Sequence, residues 1–471
     1  MKKPVLKVAL AASLTFSLFH AEAALAKPSE VVQAQPYKVF DQRIVNKVNA
    51  DNMYNHIEHL SQVPRIAGTE AEKQAVEFIK SELESYGYKP EVQPFTFLGY
   101  TPPSAMELSV SELGGEWELQ PFTYTVSGDV SGELVSAGLG TKEELADIEA
   151  KDKNALEGKI ALIKRGEIAF GEKVLNAAHA GAVGVIIYNN EEGALNGTLG
   201  EANDGYVPAV ALTKAEGEKL ADYIKEHQQV TARLKVEGAV TEEKTSYNVS
   251  AVKEPTNRKK DTGDVIVVGA HHDSVEGAPG ANDDASGTAM TLELARVLKN
   301  VPTDTEIRFI TFGAEELGLV GSTHYVNNLS EEEINRIIAN FNLDMVGSRD
   351  AGDLVMMTVD GEPNLVTELA QASSERLNGA PLPYEQGGRS DHVPFAEAGI
   401  PAALFIHSPT EEWYHTPEDT IDKISKEKLQ DTAEIVGAAI YERARFDNMG
   451  PKPKKIKKEK NQAFYHNKEI R

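Results

Sequence analysis

The sequence predicts an α/β protein: a mostly parallel central sheet flanked by helices, with a second, smaller α/β unit inserted into it. Three observations carry this expectation. From residue 245 onward, short apolar runs of strand type alternate with stretches of helical period, the pattern of parallel strands joined by helical crossovers. Between residues 121 and 242 the texture changes to a compact strand-to-helix series with no cluster of metal-type side chains. At 471 residues the chain is also too long for one small core. With 41% hydrophobic and 26% charged residues, disorder is expected only at the ends.

Residues 1–26 stand apart. MKKPVLK is basic, VALAASLTFSLF is an apolar core too short to span a bilayer, and Ala24-Leu25-Ala26 supplies small residues at the usual cleavage positions. The segment is expected to be a secretory signal removed after Ala26, which implies a secreted, extracellular protein, in keeping with a bacterial source. Residues 27–45 lack strong periodicity and are expected to form a loose mature N-terminus. A helix is expected from Thr69. Thr69 and Glu72 have capping-box spacing, Val76, Ile79 and Leu83 recur at helical period, and Gly87 ends the run.

In the inserted unit, GKIALIKRG (158–166) reads as a strand and turn, FGEKVLNAAHAGA as a helix and VGVIIYNN (183–190) as a strand; VPAVALTKAEGEKL repeats the strand-to-helix theme. His179, on the alanine-rich helix, is expected in packing or at the surface and not as a ligand. Beyond 245, DVIVVGA (264–270), EIRFITFG (306–313), NFNLDMV (340–346), DLVMMTV (353–359) and AALFI (402–406) are strands. Met290, Leu294, Val297 and Leu298 line one helix face, a second helix spans roughly 330–338, and Leu429, Ala433, Val436 and Ile440 mark a long last helix.

The formal charge is −25, and loss of the leader, with three lysines and one glutamate, makes the mature chain more acidic still. Phosphate backbones would be repelled, which excludes nucleic acid as a partner and favours cationic ligands. No stretch beyond the leader is long and apolar enough for a transmembrane span. With no cysteine, stability outside the cell must come from packing and bound metal. The one basic block, KPKKIKKEK (452–460), lies in residues 449–471, which are expected to be a solvated, disordered tail. Association with an anionic cell wall or membrane surface is the alternative.

The stretch AHHDSVEGAPGANDDASG (270–287) places two histidines and four acids in eighteen residues with no lysine or arginine. Ligands of open α/β sheets bind beyond the carboxyl ends of the strands. His271 and Asp273 follow DVIVVGA, and Asp283 and Asp284 start the next helix. Glu315 and Glu316 follow EIRFITFG, Asp344 lies near the end of NFNLDMV, and His407, Tyr414 and His415 follow AALFI. Four strand ends thus deliver nitrogen and oxygen ligands to one edge.

Imidazole with carboxylate suits zinc, whereas an all-oxygen set would suit calcium or magnesium. Charge counting suggests two ions. If His271, Asp283, Glu316, Asp344 and His415 are the ligands, three carboxylates and a bridging hydroxide balance two Zn²⁺, whereas a single ion would leave costly excess negative charge. Asp283 is the natural bridge. Glu315, left unliganded beside Glu316, can take a proton from the hydrolytic water and pass it to the leaving amine. Asp273 can hold the His271 imidazole. His272 and His392 stand nearby as alternative ligands.

These residues match a family pattern. H-x-D (His271 to Asp273), N-D-D (Asn282 to Asp284), G-A-E-E (Gly313 to Glu316), N-L-D-M (Asn342 to Met345) and Y-H-T-P (Tyr414 to Pro417) resemble the secreted two-zinc aminopeptidases, with the glutamate carboxypeptidase II branch as more distant relatives. The likeness is strongest to the secreted Bacillus type that carries an insertion. It implies a zinc exopeptidase fold in residues 27–120 and 243–448, interrupted at 121–242 by a protease-associated domain. It implies two Zn²⁺ per chain, one held by His271, Asp283 and Asp344 and the other by Asp283, Glu316 and His415. It further implies Glu315 as general base toward a zinc-bridged hydroxide, Tyr414 as a stabiliser of the oxyanion, and a non-proline cis peptide between Asp283 and Asp284. In GGRSDHVPF (387–395), Arg389 is implied as a substrate contact.

The expected activity is removal of N-terminal residues from peptides with a free N-terminus. A two-zinc carboxypeptidase or aminoacylase is the alternative, and a binding protein that uses the inserted unit for recognition is a rival of another class.

Overall fold

The computed structural model describes residues 40–111, 113–227 and 229–446. The expected signal at 1–26 and the basic tail at 449–471 lie outside the described residues.

The central sheet has eight strands, in the order Glu91–Thr101, Val240–Lys253, Glu306–Phe312, Val265–His271, Ile337–Leu343, Ala402–Ser408, Asp353–Thr358 and Tyr384–Gln386. The four in the middle, from 306–312 to 402–408, run parallel. Antiparallel pairs flank them, 240–253 with its two neighbours and 353–358 with 402–408. Every residue of 265–271 and 337–343 is buried, as continuous apolar runs between two helical layers require. Alternate side chains feed two cores. Ile266 and Val268 pack with the helices Ala50–Leu60, Glu70–Ser85, Ala285–Leu298, Leu365–Asn378 and Lys426–Ala444. Val265 and Val267 pack on the other face, with Val326, Ile334 and Phe395 from the short helices Val320–Asn327, Glu331–Arg336 and His392–Glu397. The layered α/β architecture is the one the alternation predicts.

Four local expectations change. The helix expected over 330–338 is Glu331–Arg336, because the β-branched pair Ile337-Ile338 is drawn into the buried strand. Residues 42–45 form a helix instead of loose chain: Ile44 is buried, and Asp41 takes Arg376 in a two-pronged pair at 2.9 and 3.0 Å. The capping box at Thr69 is half made. Thr69 Oγ1 accepts from Glu72 N, but the Glu72 carboxylate turns to Gly68 N and Ser246 Oγ. The helix Leu365–Asn378, capped by Asn364 and ended by Gly379 at φ 80°, adds a cover for the sheet that the sequence reading lacks.

The second sheet also has eight strands, in the order Ala105–Val110, Thr231–Glu237, Gly128–Ser136, Ile160–Lys164, Gly184–Tyr188, Ala209–Leu212, Gln120–Thr123 and Gly197–Thr198. The four from 128–136 to 209–212 are parallel, crossed by the helices Phe170–His179 and Lys214–Glu226. Ala105–Val110 lies before residue 121 yet belongs to this sheet, because it pairs with Thr231–Glu237. The unit hangs on two adjacent connections: Thr101 pairs with Val240 in the first sheet, and Ala105 pairs with Glu237 in the second. No helix among the described residues is long and apolar enough to cross a membrane.

Candidate metal centre

The parallel strands of the first sheet end at one edge, and each end contributes side chains. His271 closes the strand 265–271, with Asp273 just beyond. Asp284 caps the helix Ala285–Leu298 and Asp283 precedes it. Glu315 and Glu316 follow 306–312, Asp344 follows 337–343, and His415 lies in the loop after 402–408. Three turns here use left-handed backbone in non-glycine residues: Ala314 (φ 54°), Met345 (φ 56°) and His415 (φ 60°). Such conformations are uncommon outside glycine and gather at functional sites. Ala314 turns the chain directly before Glu315, and Met345 directly after Asp344. The Asp283–Asp284 peptide is cis.

Asp283 is the geometric centre. Its Oδ1 lies 3.1 Å from His271 Nε2 and its Oδ2 lies 3.1 Å from His415 Nε2. On the His271 side, Asp344 Oδ1 is 3.7 Å and Glu315 Oε2 3.9 Å from the imidazole. On the other side, Glu316 Oε2 is 3.1 Å from His415 Nε2. Ligand atoms of His271, Asp283 and Glu316 lie within 4.8 Å of one another, as do those of His271, Glu315 and Asp344. One carboxylate thus presents separate oxygens to two imidazoles, an arrangement that can serve metal ligation on either side.

The donor set fits such ions. Glu316 Oε1 and Asp344 Oδ1 are buried without a hydrogen-bond partner, a costly state for carboxylate oxygen unless positive charge faces it. Imidazole with carboxylate and no thiolate suits zinc. As protein groups alone, the members hold protons for one another. Burial pulls His415 down, but Asp283 and Glu316 push it up to about 10. Burial, with Asp283 adding, pushes Glu316 up to about 7. Burial works against the Asp283 charge as well, yet His271 and His415 hold that carboxyl below the usual range. Burial drives Glu315 well above it.

The surrounding acids fix the loops. Asp273 Oδ1 accepts from Glu315 N at 3.1 Å and its Oδ2 from Glu316 N at 3.3 Å, while Oδ1 stands 3.5 Å from His271 Nδ1. It therefore anchors the two glutamates as well as facing the imidazole. Asp284 accepts from His271 N, Gly287 N and Met345 N, joining three segments. Asp419 receives Asn282 N at 2.8 Å and Asp283 N at 3.0 Å, and Glu411 receives Asn282 Nδ2 at 2.8 Å. Asp419 and Glu411 are missing from the sequence reading, although the acids crowded around His415 in EEWYHTPED were a signal. So is buried Asp391, whose carboxyl burial pushes up to about 7 and whose charge helps raise Glu315.

The remaining candidates are placed as follows. Tyr414 is exposed, its ring stacked on His415 with centroids 3.8 Å apart. Arg389 is exposed in the loop after Tyr384–Gln386. His272 faces away, with Nδ1 3.1 Å from Thr311 Oγ1 and Nε2 3.6 Å from Glu72. His392 Nε2 lies 3.0 Å from Gly387 O, and burial lowers this imidazole to about 4. His179 is exposed.

Residues 248–440 match peptidase family M28, and residues 130–220 match the PA domain. Aminopeptidase YwaD of Bacillus subtilis is 44% identical over 87% of this chain and 88% of its own length. Among solved structures, an aminopeptidase from Aneurinibacillus sp. strain AM-1 is 56% identical with a TM-score of 0.74, covering 86% of this chain and 96% of that one. A zinc aminopeptidase from Bacillus subtilis is 42% identical with a TM-score of 0.66, covering 85% and 96%.

Proposed function

The chain belongs to peptidase family M28, and from that premise we propose that it is an exported zinc aminopeptidase holding two Zn²⁺ per chain. The observation that carries this reading is the two-sided exposure of Asp283, with one oxygen 3.1 Å from His271 and the other 3.1 Å from His415. His271, Asp283 and Asp344 would hold one ion, and Asp283, Glu316 and His415 the other. Bound there, the zinc would polarise the scissile carbonyl and lower the pKa of the hydrolytic water.

The chain's own groups do the rest. Glu315 takes the proton from the water and returns it to the leaving amine; its backbone amide is anchored by Asp273, and burial lets its carboxylate hold a proton readily. Asp273 keeps Glu315 and Glu316 in register with His271. Tyr414, at the open side above His415, donates to the developing oxyanion. The acidic surroundings attract the free α-amino group of a peptide, and Arg389 contacts the substrate from the neighbouring loop.

Residues 1–26 support export, and the basic block 452–460 suits contact with an anionic wall. We place the inserted PA unit between the connections at 102–104 and 238–239, on the strand pairing that encloses it.

The test is a substrate panel. Leucine p-nitroanilide should be cleaved and a peptide with a blocked amino group and free carboxyl end should not; the reverse would assign a carboxypeptidase or aminoacylase. Activity should vanish with chelator and return with Zn²⁺.

A further inference from the structure

Arg65 lies between the helices Ala50–Leu60 and Glu70–Ser85, remote in sequence from every strand end, and is only 1% exposed. Among the described residues, its guanidinium hydrogen bonds go to four backbone carbonyls. Nε donates to His272 O at 2.7 Å, Nη1 to Pro279 O at 2.6 Å and Leu60 O at 3.0 Å, and Nη2 to Gly280 O at 2.9 Å. The backbone joins in: Arg65 N donates to Ser274 Oγ at 2.9 Å, Ser274 N to Arg65 O at 3.3 Å, and Ser274 Oγ to Ala278 O at 3.0 Å. One side chain thus grips both ends of the loop 272–280, beside His271 at its start and three residues before Asp283 at its finish.

The far end of that loop has no slack. Gly280 has φ 64°, and a Cβ there would stand 2.3 Å from Asp283 O and 3.0 Å from Arg65 Nη2. Gly280 O accepts from both Arg65 Nη2 at 2.9 Å and Ala285 N at 3.2 Å, so the guanidinium and the turn 281–284 that carries Asp283 share one carbonyl. Burying a guanidinium against carbonyls is a costly way to gain stability, because desolvation offsets most of the hydrogen bonding. It makes sense where a fixed positive charge is needed. Asp273, Asp419, Asp284 and Asp283 all act on Arg65, and the site holds more carboxylates than the proposed ligand set uses.

We propose that Arg65 is a positioning residue of the metal centre, presetting the bridging carboxylate of Asp283 through the loop 272–280. The inference rests on the two-zinc reading above. A natural control exists in Arg376, also a buried arginine (8% exposed against 1%) but paired with Asp41 and Glu442, neither of which belongs to the metal centre.

The experiment is a zinc titration of the chelator-stripped full chain against a chromophoric competitor, with thermal melting in parallel. For Arg65→Lys, zinc affinity should fall about 10- to 100-fold, the range for groups that orient ligands. Arg376→Lys should lower the melting temperature and leave zinc affinity unchanged. If Arg65→Lys loses stability as Arg376→Lys does but binds zinc like the wild type, the inference is overturned. Should Arg65→Lys fail to fold, Ser274→Ala loosens the same loop more gently: weakened zinc binding supports the inference and unchanged binding overturns it. A wild-type chain that takes up no zinc would instead defeat the two-zinc reading itself.

Discussion

In the inserted unit the strand Ile160–Lys164 ends at Arg165, which donates to Asn189 Oδ1 at 3.0 Å beyond the neighbouring strand, while Thr213, after Ala209–Leu212, closes a complete capping box with Glu216. In the peptidase sheet the strand Val265–His271 ends at an imidazole facing Asp283, Asp344 and Glu315. Both are eight-stranded sheets with four parallel strands at the centre. In the insertion even the fully buried Lys173 finds the Leu139 carbonyl, and no buried side-chain nitrogen or oxygen among the described residues from 105 to 237 lacks a partner. At the peptidase strand ends, Glu316 Oε1 and Asp344 Oδ1 have none. The peptidase strand ends thus gather buried carboxylate oxygens without hydrogen-bond partners, a donor set suited to cations, whereas those of the insertion do not.

The strongest way to break this contrast is at Glu315. Glu315→Gln should cut turnover about 10²- to 10⁴-fold, the range for a general acid–base group, while zinc content and melting temperature stay at wild-type values. Unchanged turnover would remove Glu315 from its role. Next is Asp419→Asn, which disturbs the carboxylate under Asn282 N and Asp283 N. Zinc affinity or activity should fall about 10- to 100-fold, read by the same competitor titration.

A smaller effect is linked to pH. The His415 imidazole stands at about 10 against an ordinary 6.5. A raised folded-state value means that its contribution to stability is full below the ordinary value and lost as pH rises through the folded one. Chelator-stripped protein should therefore melt at lower temperature as pH increases from about 7 to about 10, and His415→Asn should flatten that slope. Zinc requires the neutral imidazole, so uptake near neutral pH should release protons, measurable by calorimetry in buffers of different ionisation enthalpy. The smallest effect belongs to the insertion. Arg165→Ala should cost about 1 kcal/mol of stability, the net worth of one hydrogen bond, and leave zinc uptake and turnover unchanged.

Much of this was legible in the chain. The buried strands announce themselves as unbroken apolar runs, and the order in which His271, Asp283, Glu316, Asp344 and His415 follow strand ends places them at one edge before any coordinates exist. What stayed hidden acts at long range or through the backbone. Nothing in AMELSV (105–110) says which sheet it joins; its partner at 231–237 decides. Arg65 works on carbonyls, which no pattern of side chains marks, and Asp419 works on amides, where the acids around His415 hint at its presence but not at its partners. The helix Leu365–Asn378 mixes buried Ser373, Ser374 and Arg376 into its inner face, which blurs its apolar period. The Glu72 carboxylate left its capping box because Ser246, 174 residues away, offered a buried partner.

The two-zinc reading has Asp283 joining two cation sites. Metal analysis of the chelator-stripped chain, reloaded stepwise with Zn²⁺ while activity is followed, tests it most directly. Uptake should end at two equivalents in the wild type, and Asp283→Ala, which removes both bridging oxygens, should weaken both steps. A fully active wild-type enzyme carrying less than one equivalent of metal, or an Asp283→Ala variant that still takes up two ions at wild-type affinity, would contradict it.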